Sequence, residues 1–450
     1  MKQLFLIILL LSGFVFSSYA QQAAAPPNTT HNFSLQDCIN YAYEHQDTVV
    51  NAGLDIKSAV YKVKETTGIG LPQISGSANF QDYVKIPVTL IPAQFFGGTA
   101  GNFVPVQFGV KYQSNLGLNL NQLLFDGSYL VGLKAAKTYK ELSQRSFIRS
   151  KIDANVNVTK AYYQVLVSNE QIRLLDADLN QLKQQVDQTV AQNQQGFVEQ
   201  IDVQRIQVQY NDLSTTRENT IRLLALNYQL LKFQMGMAVN DQLTLTDKLQ
   251  DVQLSTTADL SADTNFYHNR IEYNLLETQK KLNELDVANK KSHFYPTLSL
   301  NGNYNSSYQD NSFSNLYSRN FPSSYFGLTL NVPIFSGGQR INQLRQSKIA
   351  VLKSQNDLEN AKNGILLQAN SAQINYINGL KSLDNQKQNQ QLAQEVLRVS
   401  KIKYQQGVGS SIEVTQAQTA LEDADNKYIQ SLYDALVSKV DLDKAYGRIQ

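Results

Sequence analysis

The side chains able to bind a soft metal or attack a substrate are few in this 450-residue chain: His31, His45, His268 and His293, Cys38, and three methionines. The histidines are not spaced to share an ion, so no dedicated metal site is expected. A lone cysteine excludes an intrachain disulfide, and Cys38 reads as a small buried residue on a helix face rather than a reactive thiol. Gly97-Gly-Thr-Ala-Gly101 lacks the Lys-Ser/Thr of a phosphate loop and reads as a flexible surface loop. No Ser/His/Asp set and no paired-carboxylate site stands out. The sequence therefore predicts no catalysis, no cofactor and no metal. One acid is conspicuous by its place: Glu413 closes Ser410-Ser-Ile-Glu413, a capping box at a helix start.

What positions these residues is a plan used twice. Phe326, Leu328, Leu330, Val332 and Ile334 alternate with polar or small residues, the period of a strand with two unlike faces. The strand gives way at Phe335-Ser-Gly-Gly338 to a long stretch without proline. Leu116, Leu118 and Leu120 lead into Phe125-Asp-Gly127 in the same way, 210 residues earlier. Strands are expected at about 72–83, 112–124, 296–308 and 325–335. Long helices are expected at 128–195 and 338–406, with return helices at 197–236 and 408–447. Leu175, Leu179, Leu182, Val186 and Val190 mark a narrow coiled-coil seam on the first. None of the nine prolines falls inside a long helix, where one costs about 3 kcal/mol. Gly196 and Gly407, Ile201 and Ile412, Val203 and Val414, and Gly236 and Gly447 share an offset of 211, the mark of an internal repeat.

The chain divides accordingly. Residues 1–20 read as a secretory signal cut after Ala20, and 21–32 as a flexible lead-in. The first repeat spans 33–238, a linker 239–263 holds a possible short strand at Leu243-Thr-Leu-Thr, and the second repeat spans 264–447. Beyond the leader no segment is apolar enough for a membrane helix. A formal charge of +2 gives no case for nucleic-acid binding. Charged residues make up only 17%, and much of the polarity comes from Gln and Asn instead.

Four amphipathic strands of this length suit tilted crossings of a bilayer. A barrel in hydrocarbon must close, and the smallest have about eight strands, so several chains must share one. Physics alone permits two, three or four. Helices rich in uncharged Gln and Asn, such as 181–195 and 385–391, fit a hollow wall wetted on both sides. The rival reading is a periplasmic coiled-coil adaptor or scaffold without a pore, which leaves the four strands without a role.

The leader, the Val332-Pro-Ile-Phe-Ser-Gly-Gly338 junction, the doubled strand–helix–Gly–helix plan and the Tyr404-Gln-Gln-Gly407 turn resemble the TolC family of outer-membrane efflux proteins. The likeness covers about residues 33–447. It implies an α+β membrane protein: a homotrimer whose four strands per chain build one outer-membrane β-barrel, set in lipid, with a coiled-coil α-barrel through the periplasm. It also implies an exit duct for efflux or type I secretion, served by a periplasmic adaptor and an inner-membrane pump. Aligned on the turn glycines, Glu413 takes the place of a gate-ring carboxylate, Asp202 that of its partner in the first repeat, and Tyr404 that of a network tyrosine. Gln416 stands where a second ring acid is expected and Gly409 where an arginine is, which weakens cation selectivity. Gly196-Phe197-Val198 and Gly407-Val408-Gly409 match adaptor-docking tips, and their glycines reverse the chain in any case. Glu413 stays open between gate and helix cap, and the 84–111 loop between outer lid and rim shield.

Overall fold

A computed structural model describes residues 30–249, 254 and 265–449. The expected leader at 1–20 and most of the second half of the linker lie outside the described residues. Four strands make one antiparallel sheet in the order β2 (Gln73–Asp82), β5 (Tyr112–Phe125), β7 (Thr297–Asp310), β8 (Asn320–Asn331). Each hairpin of the sheet feeds into helices. β5 leads to α3 (Gly127–Gln194) and α4 (Gln200–Met235), and β8 to α6 (Gln339–Gln405) and α7 (Ser411–Ala445). Two further helices, α1 (Leu35–His45) and α2 (Asp47–Ile69), precede the sheet, and α5 (Ile271–Ser292) precedes β7.

Register decides the character of the sheet, because a slip of one residue would exchange its faces. Ile74 pairs with Leu120, Leu120 with Gly302 and Gly302 with Phe326, so these side chains share one face. Leu118, Tyr304, Leu300 and Leu328 lie on it too. The Phe326 ring covers Gly302 so closely that a Cβ there would lie 2.8 Å from it. On the other face Asn303 donates to Asn119 (2.7 Å) and Asn301 to Thr329 (2.8 Å). One sheet thus carries a hydrocarbon face and an amide-and-hydroxyl face. Among the described residues, no strand lies beside the outer edges of β2 and β8.

The start of α3 is set by Asp126, whose carboxylate accepts from the Ser128 (2.6 Å) and Tyr129 (3.3 Å) amides. At 68 residues and about 1.5 Å per residue it is roughly 100 Å long. It packs against α2, α4, α5 and α7, while α6 packs against α5 and α7. The cores are seams rather than a ball: Leu175, Leu182 and Val186 meet Ile206 and Leu213, and Leu397 meets Val414, Ala417 and Leu421. A thicker core lies midway, where Cys38, Ile39 and Ala42 of α1 pack on Val158, Tyr162, Val165, Leu231 and Met235.

The structure differs from the sequence expectations in several places. The lead-in, expected to be flexible to residue 32, enters the fold at Thr30: β1 (Thr30–Phe33) pairs in parallel with β6 (Gln242–Leu245) of the linker. Asp247 fastens the same region, accepting from the Leu35 amide (2.9 Å) and the Tyr162 hydroxyl (2.8 Å). Ahead of the sheet the chain forms two helices rather than one, α1 and α2, divided at Gln46. β8 starts earlier than 325–335, at Asn320, and it ends at Asn331, because Pro333 has no N–H to offer the ladder; Ile334 and Phe335 are left exposed. The 84–111 connection holds a hairpin of its own, β3 (Val88–Pro92) with β4 (Phe103–Gln107).

Burial, with Asp37 and Asp247 nearby, pushes the Cys38 thiol up to about 12. In the folded protein a thiol reagent at about pH 8 should leave Cys38 unlabelled, and denaturant should expose it fully. Labelling of the native protein at the rate of a free thiol would contradict this packing.

Candidate gate at the helical tips

The two long hairpins reverse by the same device. At the end of α3 the Gly196 amide bonds to Asn193 O (2.9 Å) and the Phe197 amide to Gln192 O (2.9 Å). At the end of α6 the Gly407 amide bonds to Tyr404 O (3.0 Å) and the Val408 amide to Lys403 O (3.0 Å). This double closure needs a left-handed residue, and Gly196 and Gly407 supply it at φ +77° and +74°. The Asn193 side chain then ties Val198 O (2.8 Å). Each turn thrusts out one apolar side chain: Phe197 is 81% exposed and Val408 78%.

Gly409 has a local reason to be glycine. A Cβ on it would lie 2.9 Å from Lys403 Cβ and 3.0 Å from the Tyr404 nitrogen. The turn that bonds the Gly409 amide to Lys403 O therefore has no room for an arginine.

Of the residues singled out by sequence, the structure brings two together and leaves two apart. Ser411 of α7 donates to Asp202 of α4 (2.5 Å), joining the two hairpins near their tips, and Arg205 lies 3.5 Å from the same carboxylate oxygen. Tyr404 belongs to this group: burial first, and then the Asp202 charge, raise its phenol. Its hydroxyl is buried and, among the described residues, has no hydrogen-bond partner. Glu413 and Gln416 are exposed on α7. Glu413 joins half of a capping box, its amide donating to Ser410 Oγ (3.2 Å). At the start of α1, by contrast, Asp37 and Ser34 form both halves.

A third group escapes sequence reasoning. Asp178 of α3 and Asp425 of α7 face each other across the two hairpins, each only 8% exposed. Gln390 of α6 donates to Asp425 (2.6 Å). Burial, then the neighbouring Asp425, pushes the Asp178 carboxyl well above its ordinary range, and burial raises Asp425 too. Glu422 is also raised by burial, and Lys401, half-buried, is brought down to about 8. In the sequence Asp178 is one acid among many on a helix; only the cross-hairpin contact makes it special. Nearer the tips, α3 and α6 enclose a cleft lined by Gln181, Gln185, Gln188 and Gln192 with Lys401 and Tyr404.

Among the described residues no helix is long and apolar enough to cross a membrane, and no group of His, Cys, Asp and Glu could hold a metal ion. A two-faced antiparallel sheet continued by helices of this length is the fold of an outer-membrane channel. The solved structure of CusC, a transmembrane channel protein, superposes with a TM-score of 0.76 at 16% identity, covering 95% of each chain. The sequence matches the outer membrane efflux protein family over residues 39–229 and 276–448, and the chain belongs to that family. It is 21% identical to the outer membrane protein TolC of Vibrio cholerae, over 74% of this chain and 76% of that one. It is 24% identical to the probable efflux pump outer membrane protein TtgC of Pseudomonas putida, over 93% and 83%. Its place is the outer membrane.

A carboxyl whose pKa is raised by folding holds its proton longer in the native state, so its contribution to stability is lost as pH rises through the folded value. The packing of α3 on α7 should therefore strengthen on acidification from about pH 8 to pH 5. Hydrogen exchange at residues 174–182 checks this, and Asp178→Asn should remove most of the difference. Equal protection at both pH values in the wild type would refute the buried pair.

Proposed function

We propose that this protein is the outer-membrane exit duct of a tripartite efflux or type I secretion system. Three copies join edge to edge, β2 of one beside β8 of the next, and close a twelve-stranded barrel. The observation that carries this reading is the sheet itself: one apolar face, one amide-lined face, and two free edges. Open edges are intolerable in hydrocarbon, and closure places the polar face around a water-filled lumen. Apolar residues left exposed on single helices, such as Leu352, Leu367 and Leu392 of α6 or Leu226 and Phe233 of α4, support packing of helices between copies. The offset of 211 between the turn glycines supports an origin by internal duplication, with repeats at 33–238 and 264–447 and a linker at 239–263.

The helices extend into the periplasm as the wall of a tunnel. Phe197 and Val408, held out by Gly196-Phe-Val198 and Gly407-Val-Gly409, are the contacts for a periplasmic adaptor, and an inner-membrane pump delivers the substrate. At the tips Asp202, with Tyr404 and Ser411, holds the two hairpins of a protomer together. Three Glu413 carboxylates face one axis and favour cations. Gln416 adds no charge to that ring. A scaffold without a pore has no use for the amide-lined face.

Single-channel conductance of the purified oligomer in a planar bilayer tests both parts. The wild type should give small, cation-preferring steps, and Glu413→Ala should enlarge them or weaken the preference. Unchanged steps in the mutant would reduce Glu413 to a helix cap; a folded oligomer without channels would overturn the duct.

A further inference from the structure

The hairpin β3–β4 stands at the end of the sheet away from the long helices, and its composition is unlike that of a loop in water. From Ile86 to Val110 there is no Asp, Glu, Lys or Arg. Val88, Leu90, Phe95, Phe96, Phe103 and Phe108 are all exposed, Phe95 to 80%. The neighbouring loop between β7 and β8 is shorter and mixed, with Phe313, Leu316 and Tyr317 among Asn311, Ser312, Ser314, Asn315, Ser318 and Arg319.

The two strands of the hairpin hold each other and close at the tip. Val88 to Pro92 pair with Phe103 to Gln107. At its tip Ala93 N donates to Asn102 O (2.8 Å), Gly98 N to Ala93 O (2.9 Å) and Asn102 N to Thr99 O (3.4 Å). The Asn102 side chain donates to Thr99 Oγ1 (2.9 Å). That pairing meets the inward-facing groups only; a two-stranded ribbon keeps two open edges, so its backbone belongs at the hydrated headgroup level, with side chains reaching below it.

Two cations mark the base of the hairpin. Lys85 and Lys111 bracket the uncharged run, beside the bond from Tyr83 N to Lys111 O (2.8 Å) that continues the β2–β5 ladder. Lys111 Nζ lies 4.9 Å from the centre of the Tyr112 ring. Tyr112 belongs to a cluster with Phe80 and Phe313, at centroid distances of 6.3 and 5.7 Å. Phe80 and Tyr112 lie on the apolar face of the sheet, in register with Ile74 and Leu120. Aromatic rings at the end of a lipid-facing sheet mark a membrane–water interface, and lysines reach from there toward anionic headgroups.

We propose that the β3–β4 hairpin lies against the outer leaflet of the membrane, with Phe95, Phe96, Phe103 and Phe108 among acyl chains and Lys85 and Lys111 on lipid phosphates. The hairpin is then a lipid-binding flange around the barrel mouth. This rests on the barrel reading above, so the test carries a control for it.

The chain contains no tryptophan, so single reporters are clean. Phe96→Trp and Phe103→Trp report on the hairpin, and Leu328→Trp on the apolar face of β8. Each purified oligomer is reconstituted into phosphatidylethanolamine–phosphatidylglycerol vesicles, with and without bromine on the acyl chains. All three reporters should show blue-shifted emission and lose most of it to the brominated lipid. If Leu328→Trp is quenched while both hairpin reporters keep their intensity, the flange is wrong. The hairpin then packs on other copies over the mouth if its emission is blue-shifted and shielded from acrylamide, or stands in water if it is not. If Leu328→Trp itself is unquenched, the barrel reading fails and the flange falls with it. Adding Lys85→Gln and Lys111→Gln should abolish the stronger hairpin quenching in anionic over zwitterionic vesicles; a persisting difference overturns the lysine contact.

Discussion

A backbone amide or carbonyl in hydrocarbon must find its partner in protein, and a single chain here pairs only the inner ladders of its sheet. β5 and β7 are flanked on both sides, whereas β2 and β8 each keep one bare edge. Much else in the molecule follows from that incompleteness. The faces are unlike, as the proposed barrel requires, with one turned to lipid and the other to water. The strands must be kept in register by pairs such as Asn303–Asn119 and by the Phe326 ring over Gly302. The apolar side chains left bare on α4 and α6 belong to the same unfinished surface.

The helical part solves a different problem with the same economy. The apolar contacts of the long helices are confined to seams such as Leu175–Leu182–Val186 against Ile206 and Leu213, as the proposed one-helix-thick wall requires. Near the tips, at 181–195 and 385–391, glutamine and asparagine supply much of the polarity without adding net charge. Against that background, a buried carboxyl pair at Asp178 and Asp425 is a costly feature. It lies between the two hairpins of one protomer, in the same gap that Ser411 and Asp202 close nearer the tips.

Strong periodicity made the strands and long helices legible in the sequence. Leu116, Leu118 and Leu120 alternate with polar or small residues because the two faces of the sheet are unlike, and α3 shows itself through its seam and its lack of proline. β6 showed as the short strand at Leu243-Thr-Leu-Thr, but β1 was hidden, since four residues carry too little pattern and its partner lies about 200 residues away. β3 and β4 were hidden for another reason: apolar residues on both faces erase the alternation. At the tips, alignment on the glycines found Asp202 and Tyr404, which the fold brings together, but Ser411 appeared there only as part of a cap. Gly409 reads as a missing arginine until the backbone closing around it is seen.

The parallel pairing of β1 with β6 bears on how the chain matures. α3 and α4 are neighbours in sequence, and a helical hairpin of that kind closes through local contacts soon after it is made. β1 has no such option. Its partner, and the Asp247 carboxylate that grips Leu35 and Tyr162, arrive more than 200 residues later. β5 likewise waits for β7 from the far half of the chain. The first half must therefore remain unsealed, with its amino-terminal segment loose, until the linker is in place. A chain of this design cannot finish folding half by half as it is delivered, and it needs protection from aggregation throughout that delay.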